Sequence, residues 1–194
     1  MGRIEEGIAE LKRALELDPL SPIINHTLAG AYRDAHRYDE AIAQYQKALE
    51  IDPGFYFSNR NMARVYFLKG MYAEGIEAVR KMSLSRGAPQ EKVDKDAAEL
   101  KEAYRGSGER GYWQLRLEMS EKDARARNRE VEPFDIAYYQ LGIGNKEGAL
   151  STLEKAFATD KRYAAFIFKS NPIWDPLRAE PRFKELLRKV GLPE

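Results

Sequence analysis

Apolar residues fall at helical intervals over much of this chain. Leu28, Ala29 and Tyr32 lie three and four positions apart, and so do Ala41, Ile42, Tyr45, Ala48 and Leu49. Such offsets put each set on one face of a helix. Two helices are therefore expected between Pro22 and Asp52, with a turn around His36, Arg37 and Tyr38. Pro53 cannot continue a helix and restricts the residue before it, so the second helix should stop near Asp52. Ala29, Ala41 and Ala48 are small enough for close helix crossing, and Leu28, Tyr32 and Tyr45 are large enough to fill the space between.

The pattern returns at a fixed distance. Ala14-Leu-Glu-Leu-Asp-Pro19 reappears 34 residues later as Ala48-Leu-Glu-Ile-Asp-Pro53. A period of that length marks one helical pair being stacked, and stacked pairs make extended binding surfaces. The predicted fold class is all-α, an α-solenoid of antiparallel helix pairs with a C-terminal helical cap.

Leu28, Ala29, Tyr32, Ala41, Tyr45, Ala48 and Pro53 stand at the spacings of the tetratricopeptide repeat, and the unit resembles that family. It departs at Asn25, where the family has a bulky residue. The resemblance implies one domain coiled as a right-handed superhelix. It divides into a half repeat (1–20), a full repeat (22–55), a further repeat (56–89), two divergent repeats (93–130 and 132–160) and a cap (161–194). The stretch from Ser83 to Asp94 is expected to include a loop. The tail, with Trp174-Asp-Pro-Leu-Arg178 and Pro181-Arg-Phe183, is similar to the ends of repeat regions in multidomain bacterial regulators. Phe166-Ile-Phe168 reads there as a buried turn of helix, Asn171 to Arg178 as a connector, and Gly191 as the cap of a last helix.

In this family the first helices of the pairs line a concave groove that takes a peptide or a partner helix. Carried over, the groove positions are Ile23, His26, Gly30 and Arg33 in the first full unit and Phe57, Arg60, Arg64 and Phe67 in the second. Further along they are Lys95, Ala98, Glu102 and Arg105, then Phe134, Tyr138 and Leu141. Arg60 and Arg64 lie one turn apart with aromatic neighbours. Arginine pairs carboxylates through two parallel hydrogen bonds, so an acidic protein or peptide is the expected partner. A clamp for chaperone tails is disfavoured, because His26 and Gly30 replace the Lys and Asn it needs.

The half repeat is a lone second helix. Ile4, Ile8 and Leu11 would lack the helix they normally pack on, which implies a fragment of a longer protein or a homodimer through that end. The resulting expectation is a protein–protein interaction module. The alternative is a regulatory or sensor domain attached to a signalling or transcription effector.

Composition narrows the function classes. The net charge is +1, which argues against nucleic acid as the partner. There is no cysteine, which excludes disulfides and thiolate chemistry and fits a reducing, cytoplasmic setting. No apolar run has membrane-spanning length and the N-terminus lacks a signal-peptide core, so no membrane role is expected.

Catalytic motifs fail on context. Gly106-Ser-Gly108-Glu-Arg-Gly111 has dinucleotide-loop spacing, but the preceding residues are helical in pattern and no strand delivers the chain to it. His26 and His36 are the only histidines, and they lack metal-site spacing. The mixed charges from Glu121 to Glu132 read as a solvated helix face. The chain is expected to be no enzyme, with no cofactor and no metal.

Overall fold

A computed structural model of the chain describes residues 2–159 and 170–189, and there the fold is all-α. The expected helical turn at Phe166 to Phe168 and the cap at Gly191 lie outside the described residues. The chain divides into two compact units, Met1–Glu99 and Leu100–Glu194.

The first unit contains α1 (Gly2–Leu17), α2 (Pro22–Asp34), α3 (Tyr38–Ile51), α4 (Tyr56–Leu68) and α5 (Tyr72–Ser85). Each helix packs on the next, and α2 also touches α4, which is the stacking order of a helical solenoid. Local chemistry sets the boundaries. The Ser21 hydroxyl accepts from the Ile24 amide at 3.4 Å and Pro22 opens α2, a position where its missing N–H costs nothing. Extended Asp52, held so by Pro53, ends α3. The turn after α2 uses His36 at φ 60°, and the turn after α4 uses Gly70 at φ 73°. These positions are one period apart. Glycine takes the left-handed conformation without the steric cost that His36 bears.

Ala29, Ala41, Ala48 and Tyr45 are completely buried, as the helix-crossing argument requires. Asn25, the departure from the repeat pattern, is buried too. Its amide donates to the Ser21 carbonyl at 2.8 Å and to the Pro19 carbonyl at 3.4 Å, while its oxygen accepts from the buried Gln44 amide. A polar bracket between loop, α2 and α3 thus replaces a bulky side chain.

The apolar residues of α1 meet the helix that follows. Ile8 is buried, and Ile4, Leu11 and Leu15 pack on the same core as Leu28 and Tyr32. α1 packs on α2, with Ile4, Leu11 and Leu15 partly buried and Leu17 and Leu20 exposed. The loop expected between Ser83 and Asp94 is shorter than the polar stretch. Only residues 86–89 separate α5 from α6 (Gln90–Ala126). Asp94 on α6 accepts from Arg80 on α5 at 2.6 Å.

In the second unit α6 breaks helical geometry at Gly108, with φ 61° and ψ −151°, a region open essentially to glycine alone. The dinucleotide-like glycines thus sit within a kinked helix. Next come α7 (Pro133–Ile143), α8 (Lys146–Thr159), a 3-10 helix (Pro172–Leu177) and α9 (Pro181–Lys189). Gly144 ends α7 in the left-handed conformation, φ 88°. The expected connector is the 3-10 helix, capped by Asn171, and it buries Trp174 and Leu177 completely. Arg182 of α9 donates to both oxygens of Glu154 on α8, at 2.8 and 2.6 Å, and pairs with Glu147. Arg178 pairs with Asp175, and Arg188 and Lys189 with Glu185.

Candidate functional site

The helices α2 and α4 lie side by side, and their matched positions build one face from an apolar end to a charged end. Ile23 and Phe57, one period apart, are both exposed, at 64% and 43%. Phe57 stacks on Tyr56 with centroids 4.1 Å apart and meets Phe55 at 5.9 Å. Phe55 stands edge-on to the His26 ring at 5.3 Å, and His26 lies 5.3 Å from Tyr45. Aromatic rings thus run from the surface into the core of the unit.

His26 fastens the two helices. Its Nδ1 is 2.9 Å from the Ser58 hydroxyl, and its Nε2 is 3.3 Å from the Asn61 amide nitrogen. The Asn61 amide is a donor, so Nε2 is the acceptor and Nδ1 carries the hydrogen. The Asn61 oxygen in turn accepts from Arg64 at 3.5 Å. Burial, reinforced by the Arg33 charge, pushes the His26 pKa down to about 4. The ring is therefore neutral at physiological pH, as this hydrogen-bond direction requires.

Arg33 is nearly buried, and its guanidinium is held by Asp34 at 2.7–2.8 Å. Beneath it the Tyr45 hydroxyl is buried with no hydrogen-bond partner, and burial pushes its pKa up to about 12. Arg60 and Arg64 follow Phe57 along α4, both partly buried.

Phe67 sits differently from its matched residue Arg33. It packs against Tyr72 at 5.3 Å and over Gly75, where a Cβ would lie 2.3 Å from its ring. The pair Arg33 and Ala41 of one repeat corresponds to Phe67 and Gly75 of the next. The larger ring takes the volume the smaller residue gives up. Tyr138 lies in the second unit, buried beside Trp113 at 4.8 Å. Phe134 there meets Trp174 at 4.8 Å, and Glu102 pairs with Arg105 at 3.3 Å. Sequence reasoning passed over the Tyr45 hydroxyl, because helical spacing marks a tyrosine as core without showing where its oxygen ends.

Stacked hairpins whose first helices share a face define a helical-repeat protein. Residues 1–54 match the tetratricopeptide-repeat family model. Comparison with curated proteins finds no match. Among solved structures, the chain is similar to YrrB, a TPR protein with an unusual peptide-binding site, at 20% identity and a TM-score of 0.42. That similarity covers 93% of this chain and 90% of YrrB. The structure of Naa15/Naa10 bound to HypK-THB is similar at 20% identity and a TM-score of 0.43, over 96% of this chain and 29% of that one. Among the described residues, no helix is long and apolar enough to cross a membrane.

Proposed function

We propose that this protein is an interaction module whose α2–α4 face receives an acidic segment of a partner protein. The observation that carries the reading is the order of groups along that face. Exposed Ile23 and Phe57 offer apolar anchorage at one end, and Arg60 and Arg64 supply positive charge one turn apart. Aromatic anchors and arginines are the residue types that dominate binding energies. The rigid His26 link between the helices fixes the face before a ligand arrives, which lowers the ordering cost of binding.

Selection from a random peptide library tests the proposal. Bound peptides should be enriched in Asp and Glu beside an apolar residue. The Arg60→Ala, Arg64→Ala double variant should bind them about tenfold or more weakly, as expected for lost charge-assisted hydrogen bonds. Unchanged affinity in the double variant would sink the reading.

A further inference from the structure

Three helices of the first unit occupy the same place in the repeat. Gly7 of α1, Ala41 of α3 and Gly75 of α5 are one period apart. Ala41 is completely buried, and a Cβ at Gly75 would lie 2.3 Å from the Phe67 ring on the preceding helix. At Gly7 a Cβ would meet nothing within 4 Å. The difference runs along the whole helix. Leu11 and Ala14 are half-buried where Tyr45 and Ala48 are completely buried. Leu17 is 90% exposed where Ile51 is half-buried. One face of α1 packs on α2. The neighbouring face, which α3 turns to α2 and α5 to α4, is open among the described residues.

The residues on this open face complement a second copy of the same face. Arg3, Gly7, Glu10, Ala14 and Leu17 follow one another at intervals of four and three, the spacing of a seam between two coiled helices. In an antiparallel pair with its two-fold axis beside Lys12, Leu17 of each copy comes level with Gly7 of the other, and Glu10 with Ala14. The exposed leucine thus meets the position that has no side chain, and the acid meets a small residue. A parallel pair would set Leu17 on Leu17 and Gly7 on Gly7, with a void between the glycines. Charge favours the same orientation. Glu10 and Arg13 pair at 3.1 Å on the outside of the helix. Antiparallel packing brings this pair to its counterpart, so that each Arg13 lies within reach of two glutamates and the four charges cancel. Parallel packing would set Glu10 against Glu10.

We propose that the protein self-associates through α1, which pairs antiparallel with α1 of a second copy at Gly7, Ala14 and Leu17. The contact is isologous, so two copies close it. It goes beyond the peptide-binding reading and does not depend on it. One helix per copy covers less than the roughly 800 Å² per partner of a standard interface, so the dimer is weak and exchanges readily.

Sedimentation velocity from micromolar to millimolar concentration should show a monomer–dimer equilibrium. Leu17→Glu should weaken it about tenfold or more, because the new charge would be buried against Gly7. Its Tm at low concentration should not fall, since Leu17 is exposed within its own chain. Cross-linking tests the orientation, and the absence of native cysteine makes it clean. Gly7 and Leu17 are about 15 Å apart along one helix, too far for a disulfide within a chain. The double variant Gly7→Cys, Leu17→Cys should therefore oxidise to a covalent dimer, whereas Leu17→Cys alone should not. Equal cross-linking by Leu17→Cys alone would mean parallel or random pairing and overturns the proposal. A dimer that survives Leu17→Glu unweakened is held by another surface and overturns it too. A wild-type chain that stays monomeric at millimolar concentration does the same, and leaves the face to a helix of another protein.

Discussion

His26 couples the binding face to stability. Its ring must be neutral to accept from Asn61, and it is enclosed by Tyr45, Phe55 and Ser58 with Arg33 nearby. The folded pKa of about 4 lies below the unfolded value of 6.5. Above pH 6.5 both states hold the ring neutral, and its contribution is complete. As pH falls below 6.5 the unfolded chain takes up a proton that the folded one refuses, so stability declines until both are protonated near pH 4. The loss should be on the order of 2 kcal/mol after allowing for the partly exposed ring. Urea unfolding at pH 7 and pH 5 measures it. His26→Gln should flatten that slope, while the lowered carboxylates Glu40, Glu154 and Glu185 act only below about pH 4.5. An identical slope in wild type and variant would place the effect elsewhere.

Between elements, the Asn25–Gln44 bracket joins α2 to α3 where apolar packing usually serves. Asn25→Leu restores a bulky residue but leaves the buried Gln44 amide without its acceptor and removes the bonds to the Ser21 and Pro19 carbonyls. It should cost about 1–3 kcal/mol. Adding Gln44→Leu should recover part of that loss, because one polar partner is then gone and the two sites are in contact. Chemical denaturation of the single and double variants measures the coupling, and strict additivity would contradict it. The same region shows what the sequence makes legible. Helical spacing and Pro53 place α2, α3 and their turn closely, because periodicity and proline chemistry are local. The bracket is not legible, since it joins residues 19 positions apart through side chains that look out of place singly. Phe67 has groove spacing yet lies over Gly75. Spacing defines a face only to within about a residue's rotation, and the deciding contact comes from another helix. The buried Tyr45 hydroxyl needs coordinates for the same reason.

At the scale of the whole molecule, two units each enclose buried side chains, and each contains a glycine on which a bulky aromatic ring rests. In the first unit a Cβ at Gly75 would lie 2.3 Å from the Phe67 ring, and in the second a Cβ at Gly142 would lie 2.2 Å from Trp113. Both glycines are in helices, where alanine is intrinsically better by up to about 1 kcal/mol. Overpacking outweighs that gain, because contacts this short force a ring or helix to move at a cost of about 1–3 kcal/mol. Gly7→Ala is the control: it lies in α1 with nothing within 4 Å of its Cβ, so it should stabilise by a few tenths to about 1 kcal/mol. Chains with more than one cooperative unit need not unfold in one step. Hydrogen exchange therefore reads these variants by location. Gly75→Ala should lower protection at buried positions such as Leu28 and Val65 while leaving Tyr112 and Leu153 as they were, and Gly142→Ala should do the reverse. If either variant lowers protection evenly across both sets, the chain unfolds as one cooperative body, and the separate cores do not translate into separate stabilities.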